Sequence, residues 1–420
     1  MEKIIVDGGY PLSGKVDISG MKNAAVAVIF ASVVVSGVCI IDNLPCISDV
    51  SDSLEILKSI GARVRAISGT AVEIDTTQIA DMEAPLDLVR RLRASYYLAG
   101  AMLGRFGHAK VGLPGGCDFG VRPIDLHVKA FEKLGAEVSV GGGCIEAVST
   151  DGVHGSSIYF DCSSVGATIN TIIAAVLADG STVIENAARE PHIVDLASFL
   201  NACGADIRGA GTPIIRINGV KELHGCEYTI IPDMIEAGTF MVAAAATKGK
   251  LYINNVIPKH LETITAKLRE MGVIVEEFDE AVMVSRGKSA LSAVNVKTLP
   301  YPGFPTDMQA QIISLMCLSE GSGVISETIF ENRFMHVQEL VRMGADIRLS
   351  GHTAIIRGVQ RLAGAPVMAS DLRASASLVL AGLAAKGTTT VQRIYHLDRG
   401  YEHIENKLNA VGARIRREAE

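Results

Sequence analysis

The feature that most constrains the fold is a segment that occurs six times along the chain. Each copy is an amphipathic stretch that ends in Gly-Ala or Gly-Val and is followed by a strand-like run. The six glycines recur at intervals of 68 to 74 residues and are Gly61, Gly135, Gly204, Gly272, Gly344 and Gly412. Glycine is favoured where a helix ends with a positive φ, so each copy is predicted to contain a glycine-terminated helix. The spacing is too long for a solenoid and indicates six copies of a small α/β unit.

A second and far more apolar helix is predicted in every copy. The six predicted ranges are 22–36, 93–104, 166–178, 235–247, 307–318 and 372–385. Because these helices are apolar or small on nearly every face, they should be buried on all sides. Each is followed by a glycine and a β-branched strand, which gives a β-α-β-α-β-β unit. We therefore expect an α/β fold of two inside-out, barrel-like domains, each with three units around buried helices, and a cleft between the domains.

A turn of the form Gly-x-x-x-Leu indicates where the two domains begin and end. It follows the glycine-terminated helix at Gly219, Gly287 and Gly358. The last copy ends before this turn, and the N-terminus begins with it at Gly8, so residues 1–21 are expected to complete the sixth unit. The predicted domains are residues 22–231, and residues 1–21 together with 232–420. Three units per domain respect the usual size of a single core, and two chain crossings favour a hinge.

Composition narrows the classes of protein that the chain can be. With 48% hydrophobic and 20% charged residues and no low-complexity tract, the 420 residues predict a globular protein. The net charge of −7 argues against a nucleic-acid-binding protein. Residues 23–41 are uncharged and long enough for a membrane span, but Gly37 interrupts them and 38–41 reads as a strand. The charged N-terminus lacks the apolar core of a signal peptide.

One cysteine is set apart by its neighbours. The eight cysteines show neither Cys-x-x-Cys pairing nor zinc-like spacing with histidine, so reduced thiols in a cytosolic protein are expected. Residues 113–123, however, are rich in glycine and proline and carry both Cys117 and Arg122. Such a run is unsuited to the interior of a helix or strand, and it predicts a mobile loop that presents a thiol and a guanidinium. The alternative is an ordinary glycine-rich turn with an incidental cysteine.

Charged residues gather at the predicted starts of the buried helices. Cations oppose the helix dipole there, and three such cases suggest bound anions: Lys22, Arg93 and Arg373. Further arginines follow strands and could bind phosphate or carboxylate groups, or could instead form surface ion pairs: Arg122, Arg189, Arg333 and Arg399. The acidic residues have a capping alternative, in which Asp233 and Glu236 cap one helix, Thr306 and Gln309 form a capping box, and Asp307 complements the dipole.

These motifs together resemble the UDP-N-acetylglucosamine 1-carboxyvinyltransferase family of enolpyruvyl transferases, over the whole chain. The segments that carry the resemblance are 19–24, 93–95, 114–117, 122–127, 164–168, 304–309, 330–334 and 371–374. The resemblance implies two inside-out α/β domains of three units each. It also implies transfer of the enolpyruvyl group of phosphoenolpyruvate to the 3′-hydroxyl of UDP-N-acetylglucosamine, with phosphate release, no metal and no organic cofactor. This reaction begins peptidoglycan synthesis, in the cytoplasm.

The resemblance also assigns roles to individual residues. Cys117 would be the acid toward the enol carbon and the site of fosfomycin attack, and Asp307 would be the base for the sugar hydroxyl. Phosphoenolpyruvate would be bound by Lys22, Asn23, Arg122 and Arg399, with Arg333 and Arg373 on its carboxylate side. UDP-N-acetylglucosamine would be bound by Asn23, Arg93, Arg122, Pro123, Ile124, Asp125, Leu126, Cys162, Ser163, Ser164, Val165, Asp307 and Ile329. These residue types suit the chemistry, because an enol phosphate needs several fixed cations and its addition needs an acid and a base.

Two positions depart from the family's pattern, and two other functions compete. Cys162 stands where some members have lysine, and Asp118 follows the cysteine where a small residue is common. The nearest alternative is 3-phosphoshikimate 1-carboxyvinyltransferase, which shares the fold but lacks the cysteine loop and the Lys22-Asn23 pair. A non-catalytic nucleotide-sugar sensor is the other, and it would be expected to have lost Cys117, Asp307 or the arginines.

Overall fold

The six copies found in the sequence fold alike, each into a buried helix, an outer helix and a sheet. The structure is a computed structural model that describes residues 2–79, 83–113, 124–287 and 289–419. Its contacts divide these residues into two compact units. The N unit comprises residues 20–113 and 124–231, and the C unit comprises residues 2–19 and 232–419.

The helices alternate between buried and outer positions along the chain. They are α1 (Lys22–Ala31), α2 (Ser48–Ser59), α3 (Leu86–Val89), α4 (Tyr97–Phe106), α5 (Asp125–Lys133), α6 (Val165–Ala175), α7 (Pro191–Ala202), α8 (Met234–Ala246), α9 (Glu262–Glu270), α10 (Gln309–Met316), α11 (Val337–Arg342), α12 (Leu372–Ala384) and α13 (Ile404–Ala410). Short 3-10 turns extend several of them, notably Arg93–Tyr96 before α4 and Thr306–Met308 before α10.

The strands form six separate sheets, five with four strands and one with three, and within the described residues no sheet closes into a barrel. They are β1 (Glu2–Asp7), β2 (Ser13–Asp17), β3 (Val38–Asp42), β4 (Arg63–Ala66), β5 (Val72–Asp75), β6 (His108–Gly112), β7 (Glu137–Gly141), β8 (Cys144–Val148), β9 (Ser157–Tyr159), β10 (Ser181–Glu185), β11 (Asp206–Arg208), β12 (Ile214–Asn218), β13 (Glu227–Thr229), β14 (Lys250–Asn254), β15 (Ile274–Glu277), β16 (Ala281–Ser285), β17 (Val296–Lys297), β18 (Ser322–Ser326), β19 (Asp346–Ser350), β20 (Thr353–Arg357), β21 (Pro366–Met368), β22 (Thr388–Gln392) and β23 (Arg414–Ala419).

The glycine-terminated helices end as the sequence predicts. All six glycines adopt a positive φ, between 89° for Gly272 and 100° for Gly61 and Gly204. Only a residue without Cβ reaches this conformation without strain, which explains why the same residue type recurs at each helix end. The predicted α/β fold is thereby confirmed at the level of its repeating unit.

The apolar helices form the two cores. In the N unit α1, α4 and α6 pack together, and in the C unit α8, α10 and α12 do so. Every residue of α8 is buried. The helices α4 and α6 approach so closely that a Cβ on Gly100 would lie 2.3 Å from the side-chain oxygen of Asn170, so only glycine fits there. Burial on all faces explains the lack of an amphipathic pattern in these helices.

Strand pairing links distant parts of the chain. The strand β1 lies between β22 and β23, so the sheet of the sixth copy includes the first strand of the chain. The next strand, β2, pairs instead with β14 of the fourth copy, and β13 pairs in parallel with β3 of the first copy. The N-terminal segment is therefore divided between two sheets: β1 belongs to the sheet of the sixth copy and β2 to that of the fourth.

The uncharged stretch at residues 23–41 does not form one long helix. It contains α1, a 3-10 turn at Ser32–Val34 and the start of β3. Across the described ranges, no helix combines the length and the apolar character needed to cross a bilayer.

Candidate functional site

Asp307 lies against two buried guanidinium groups in the C unit. Arg333 Nη2 donates to its Oδ1 at 2.9 Å, and Arg373 donates to its Oδ2 from Nη2 at 2.9 Å and from Nε at 3.2 Å. Each arginine side chain is only 4% exposed, whereas that of Asp307 is 27% exposed. We call these three residues the Asp307 cluster. It presents one partly accessible carboxylate held by two cations.

The start of α12 accommodates Arg373 because a neighbouring carboxylate caps the helix. Asp371 accepts hydrogen bonds from the backbone N–H groups of Arg373 and Ala374 at 2.9 and 3.0 Å. The guanidinium of Arg373 lies 5.6 Å from the ring centroid of Tyr401. Burial lowers the pKa of Arg373, but Asp307 and the other nearby acidic groups outweigh burial and raise that pKa above its ordinary value. Arg373 is therefore a permanent cation, and its buried Nη1 makes no hydrogen bond within the described chain.

Arg333 is positioned from the other side of the cluster. Its guanidinium lies 5.3 Å from the ring centroid of Phe330, within the range of a cation–π contact. His336, one turn later, is 1% exposed, and burial lowers its pKa to about 4 although Asp371 opposes the effect. The imidazole is thus neutral at physiological pH and adds no further positive charge beside Arg333.

The capping box predicted at Thr306 and Gln309 is wrong. Thr306 donates its hydroxyl to Glu327 at 2.9 Å instead of capping the helix, which begins after Pro305 without a side-chain cap. Glu327 is 2% exposed and also accepts hydrogen bonds from the backbone of Ile329 and Phe330 at 2.8 and 3.2 Å. It therefore joins the turn of Asp307 to the loop of Ile329. Nothing in its sequence context distinguished Glu327 from an ordinary surface acid.

Asp233 caps α8 as expected, through hydrogen bonds from the backbone of Ile235 and Glu236 at 2.7 and 3.2 Å. Glu236 does not complete a capping box. Its carboxylate accepts hydrogen bonds from Ser19 N–H at 2.8 Å and from Lys407 at 2.7 Å, so it fixes the N-terminal segment in the C unit.

Arg399 ends the 3-10 turn Ile394–Arg399, which packs against α12. Burial lowers the pKa of His396 in this turn, Asp371 opposes the effect and Arg399 adds to it. Arg399 and Asp371 therefore lie within electrostatic range of the same imidazole. Arg399 is thus a further cation near the start of α12, where Arg373 lies.

In the N unit, Lys22 begins α1 and pairs with a buried carboxylate. Its Nζ lies 2.8 Å from Asp49 Oδ2, and the two side chains are 14% and 2% exposed. At two of these helix starts, Lys22 and Arg373 are each paired with a carboxylate of the chain. Their position alone is a weaker sign of a bound anion than the sequence suggested. Asn23 follows Lys22 in the first turn of α1.

A second group of N-unit residues surrounds His127. Asn170 Nδ2 lies 3.0 Å from His127 Nδ1 and donates to Tyr96 O at 2.8 Å, while its Oδ1 accepts from Gly100 N at 2.8 Å. Burial lowers the pKa of His127 to about 4, and the nearby Arg93 guanidinium adds to this effect. The imidazole is therefore neutral and accepts at Nδ1, which leaves the proton on Nε2, toward Gly166 at the start of α6. We call Arg93, Tyr96, His127 and Asn170 the His127 cluster.

The remaining predicted nucleotide-sugar residues lie at the starts of two N-unit helices. Ile124 precedes α5, and Asp125 and Leu126 open it. Ser164 caps α6 by accepting a hydrogen bond from Ala167 N at 3.3 Å, and Val165 is the first residue of that helix. Cys162 is exposed and Ser163 half-buried in the preceding loop. Three other predicted site residues lie outside the described residues: Cys117, Arg122 and Pro123. Asp118 lies outside them as well.

Comparisons with known proteins agree with one another. A family model described as EPSP synthase (3-phosphoshikimate 1-carboxyvinyltransferase) matches residues 6–408. The chain is 54% identical over 420 residues to UDP-N-acetylglucosamine 1-carboxyvinyltransferase of Nitratidesulfovibrio vulgaris strain DP4, with all of both chains covered. It is also 54% identical over 419 residues to UDP-N-acetylglucosamine 1-carboxyvinyltransferase 2 of Clostridium acetobutylicum, again with both chains fully covered.

Two solved structures resemble the chain along its length. The enolpyruvyl transferase NikO from Streptomyces tendae has a TM-score of 0.90 at 26% identity, covering 99% of this chain and 98% of that one. EPSP synthase from Acinetobacter baumannii has a TM-score of 0.79 at 18% identity with both chains fully covered, a likeness of fold alone.

Proposed function

The chain belongs to the EPSP synthase family and, within it, to the UDP-N-acetylglucosamine 1-carboxyvinyltransferases, and on this premise we propose how its residues carry out the reaction. It transfers the enolpyruvyl group of phosphoenolpyruvate to the 3′-hydroxyl of UDP-N-acetylglucosamine and releases phosphate. The reaction is an addition followed by an elimination through a tetrahedral intermediate.

The observation that carries the assignment of roles is the double ion pair at Asp307. Arg333 and Arg373 donate three hydrogen bonds to its carboxylate, and both guanidinium groups are buried. The substrate has a carboxylate of the same shape and charge, and guanidinium forks bind such groups bidentately. In our proposal this carboxylate takes the place of Asp307 on the two arginines. A carboxylate that loses two cationic partners becomes a stronger base, so substrate binding activates Asp307.

Proton transfers then follow from two groups. Asp307 accepts the proton of the sugar 3′-hydroxyl while the oxygen bonds to C2 of the enol, and Cys117 donates a proton to C3. In the elimination the Cys117 thiolate left by the first step takes a proton from C3 and phosphate is expelled, which restores the double bond and the thiol. Cations near Cys117 would favour its thiolate and so make its thiol a better proton donor to C3. Arg122 is the candidate cation in the sequence.

The phosphate of the enol and the nucleotide sugar would be bound by the remaining predicted residues. Lys22 would exchange part of its contact with Asp49 for the phosphate of the enol, together with Arg122 and Arg399. Asn23, Arg93 and the residues that open α5 and α6 would bind the nucleotide sugar: Ile124, Asp125, Leu126, Cys162, Ser163, Ser164 and Val165. The neutral His127 fixes these positions, since it links the starts of α4, α5 and α6 through Asn170 without adding charge.

Two alternatives fit less well. The 3-phosphoshikimate enzyme shares the fold, but the solved example is 18% identical, whereas the nucleotide-sugar relatives are 54% identical over the whole chain. A non-catalytic sensor would not need the chain to keep Cys117, Asp307 and the arginines, all of which are present.

In the cell we propose a role at the first committed step of peptidoglycan precursor synthesis in the cytoplasm. Cell shape and division would then depend on it. No metal and no organic cofactor is invoked, since cations supplied by the side chains provide the electrostatic stabilisation. Fosfomycin, a phosphonate epoxide, would alkylate Cys117.

The test is phosphate release by the purified protein with both substrates, with each alone, and with shikimate 3-phosphate in place of the nucleotide sugar. We expect release only with phosphoenolpyruvate and UDP-N-acetylglucosamine together, and mass spectrometry should show the enolpyruvyl ether. Turnover with shikimate 3-phosphate would support the alternative enzyme, and no turnover with either acceptor would support the sensor.

A further inference from the structure

A cavity of about 740 Å³ lies in the C unit, apart from the residues of the Asp307 cluster. Its walls come from three places: Arg286 and Ala290 in the loop after β16, the end of β20 with the turn that follows it, and the turn between α10 and β18. None of the residues assigned above to either substrate lines it. Its volume falls within the range of about 300–1,000 Å³ that is usual for sites of small organic ligands.

Arg286 is the unusual residue of this cavity. It is 9% exposed, yet its guanidinium makes no hydrogen bond and no ion pair with any part of the chain that the structure describes. Burial lowers its pKa. A largely buried cation without a protein partner is costly unless solvent or a ligand reaches it, and Arg286 can be reached only where it lines the cavity.

A second arginine faces the same space. Arg357, the last residue of β20, lines the cavity and is exposed, and its side chain has no ion-pair or hydrogen-bond partner in the described ranges. Glu320 lines it too and carries the opposite charge. The two arginines and one glutamate leave an excess of positive charge around the cavity. Gly321 and Gly358 line the cavity beside them.

The corresponding positions of other copies are satisfied by the chain itself. Arg286 and Arg357 each precede the glycine of a Gly-x-x-x-Leu turn, and the residues at that place in two other copies are Asn218 and Asp7. Asn218 donates to Asp206 at 2.7 Å, and Asp7 accepts from Thr388 at 2.6 Å and from Arg416 at 3.2 Å. An arginine without a partner is therefore not a requirement of the turn.

We propose that this cavity is a binding site for a small phosphorylated metabolite, with its phosphate seated on Arg286 and Arg357. Guanidinium groups are suited to phosphate because they donate two parallel hydrogen bonds to its oxygens. A bound phosphate supplies the counter-charge that Arg286 lacks, and the remaining volume accommodates the organic part of the ligand. The site is independent of the function proposed for the Asp307 cluster.

Hydrogen–deuterium exchange tests this site locally, because it is measured on the peptides that line the cavity and not on the protein as a whole. The whole protein is incubated with glucose 1-phosphate, with inorganic phosphate, or with glucose as the uncharged control. We expect glucose 1-phosphate to slow exchange in residues 318–322 and 357–360, with inorganic phosphate weaker and glucose without effect. Protection by inorganic phosphate alone would mean an adventitious ion only and would overturn the proposal.

Three variants make the test specific. Arg286→Gln should weaken the protection by roughly tenfold or more in half-saturating concentration, and the exposed Arg357→Gln by roughly threefold. Arg348→Gln, which replaces an exposed arginine of β19, is the matched control and should change nothing. Turnover with the two proposed substrates should remain normal in all three. Equal protection in wild type and Arg286→Gln, or equal loss in Arg348→Gln, would overturn the site, and Arg357→Gln decides the outcome if Arg286→Gln does not fold.

Discussion

Arg373 donates from both Nε and Nη2 to one oxygen of Asp307, at 3.2 and 2.9 Å, while Arg333 occupies the other oxygen. The carboxylate proposed as the base is thus the counter-ion of two buried cations before any substrate is bound. Replacing Asp307 should lower stability, because the two cations lose their counter-ion, and should lower turnover, because the base is lost.

We expect Asp307→Asn to lose on the order of 100-fold or more in turnover, because a neutral amide cannot accept the hydroxyl proton. The variant should also lose about 2–3 kcal/mol in the free energy of unfolding, since two buried guanidinium groups lose their counter-charge. Steady-state kinetics and denaturant unfolding measure the two effects. Asp346→Asn, at an exposed position, is the control. Near-normal turnover would show that Asp307 has only a structural role.

Arg373→Lys should raise the KM for phosphoenolpyruvate by roughly tenfold or more, because a single ammonium cannot reproduce the two-point contact of the guanidinium. The KM for UDP-N-acetylglucosamine should change much less. Arg342→Lys, at a surface pair with Glu339, is the matched substitution and should leave both constants unchanged. Equal increases in both KM values would contradict a role limited to the enol carboxylate.

Asp195 in α7 should make stability depend on pH. Burial raises its pKa to about 6, although the hydrogen bond from Tyr228 at 2.6 Å opposes the shift. An acid whose pKa is higher in the folded state binds protons more strongly there, so its ionisation destabilises the fold as pH rises from about 4 to about 6. Asp195→Asn should therefore stabilise the protein by about 1–3 kcal/mol at pH 7.5. At pH 4 the gain should vanish, and a gain that is independent of pH would refute this explanation.

Arg286→Met should stabilise the protein in phosphate-free buffer, by about 1 kcal/mol or more, because it replaces an unpartnered buried cation with an apolar side chain. The advantage should shrink when glucose 1-phosphate is added, since only the wild type gains from the ligand. Thermal unfolding at two ligand concentrations measures both effects. A variant that is less stable than wild type in both buffers would show that Arg286 serves the fold.

Fosfomycin should form a single adduct, on the peptide that contains Cys117. Binding of the phosphonate by cationic side chains, rather than exposure, should select this thiol, since Cys46 and Cys162 are exposed and would react first with an untargeted reagent. Inactivation should be faster when UDP-N-acetylglucosamine is present. Cys117→Asp should lose the adduct and keep activity, because a carboxylic acid can still donate a proton. Labelling spread over several cysteines would count against the proposed roles.

Local sequence signals predicted the repeating fold well. Glycine at a helix end and an apolar helix without a polar face each depend on neighbouring residues alone, and both patterns occur in all six copies. Contacts between residues far apart in the sequence could not be predicted in this way. Nothing near Lys22 indicates that Asp49 is its partner, and nothing near Thr306 indicates that its hydroxyl turns to Glu327 rather than to its own helix. These choices depend on which side chains other strands and helices bring within reach.

The pairing of β1 with β22 and β23 has a consequence for the order in which the protein is made. The N unit is complete in sequence once residue 231 has been synthesised, and all its strands then have their partners. The strands β1 and β2 emerge from the ribosome first, yet their partners arrive only with residues 250–254, 388–392 and 414–419. Through most of translation the apolar run of β1 therefore has unpaired edges, the condition in which nascent chains associate wrongly. If the N unit folds as soon as it is complete, this segment still waits for its partners, and shielding its unpaired strands during that time should favour correct folding.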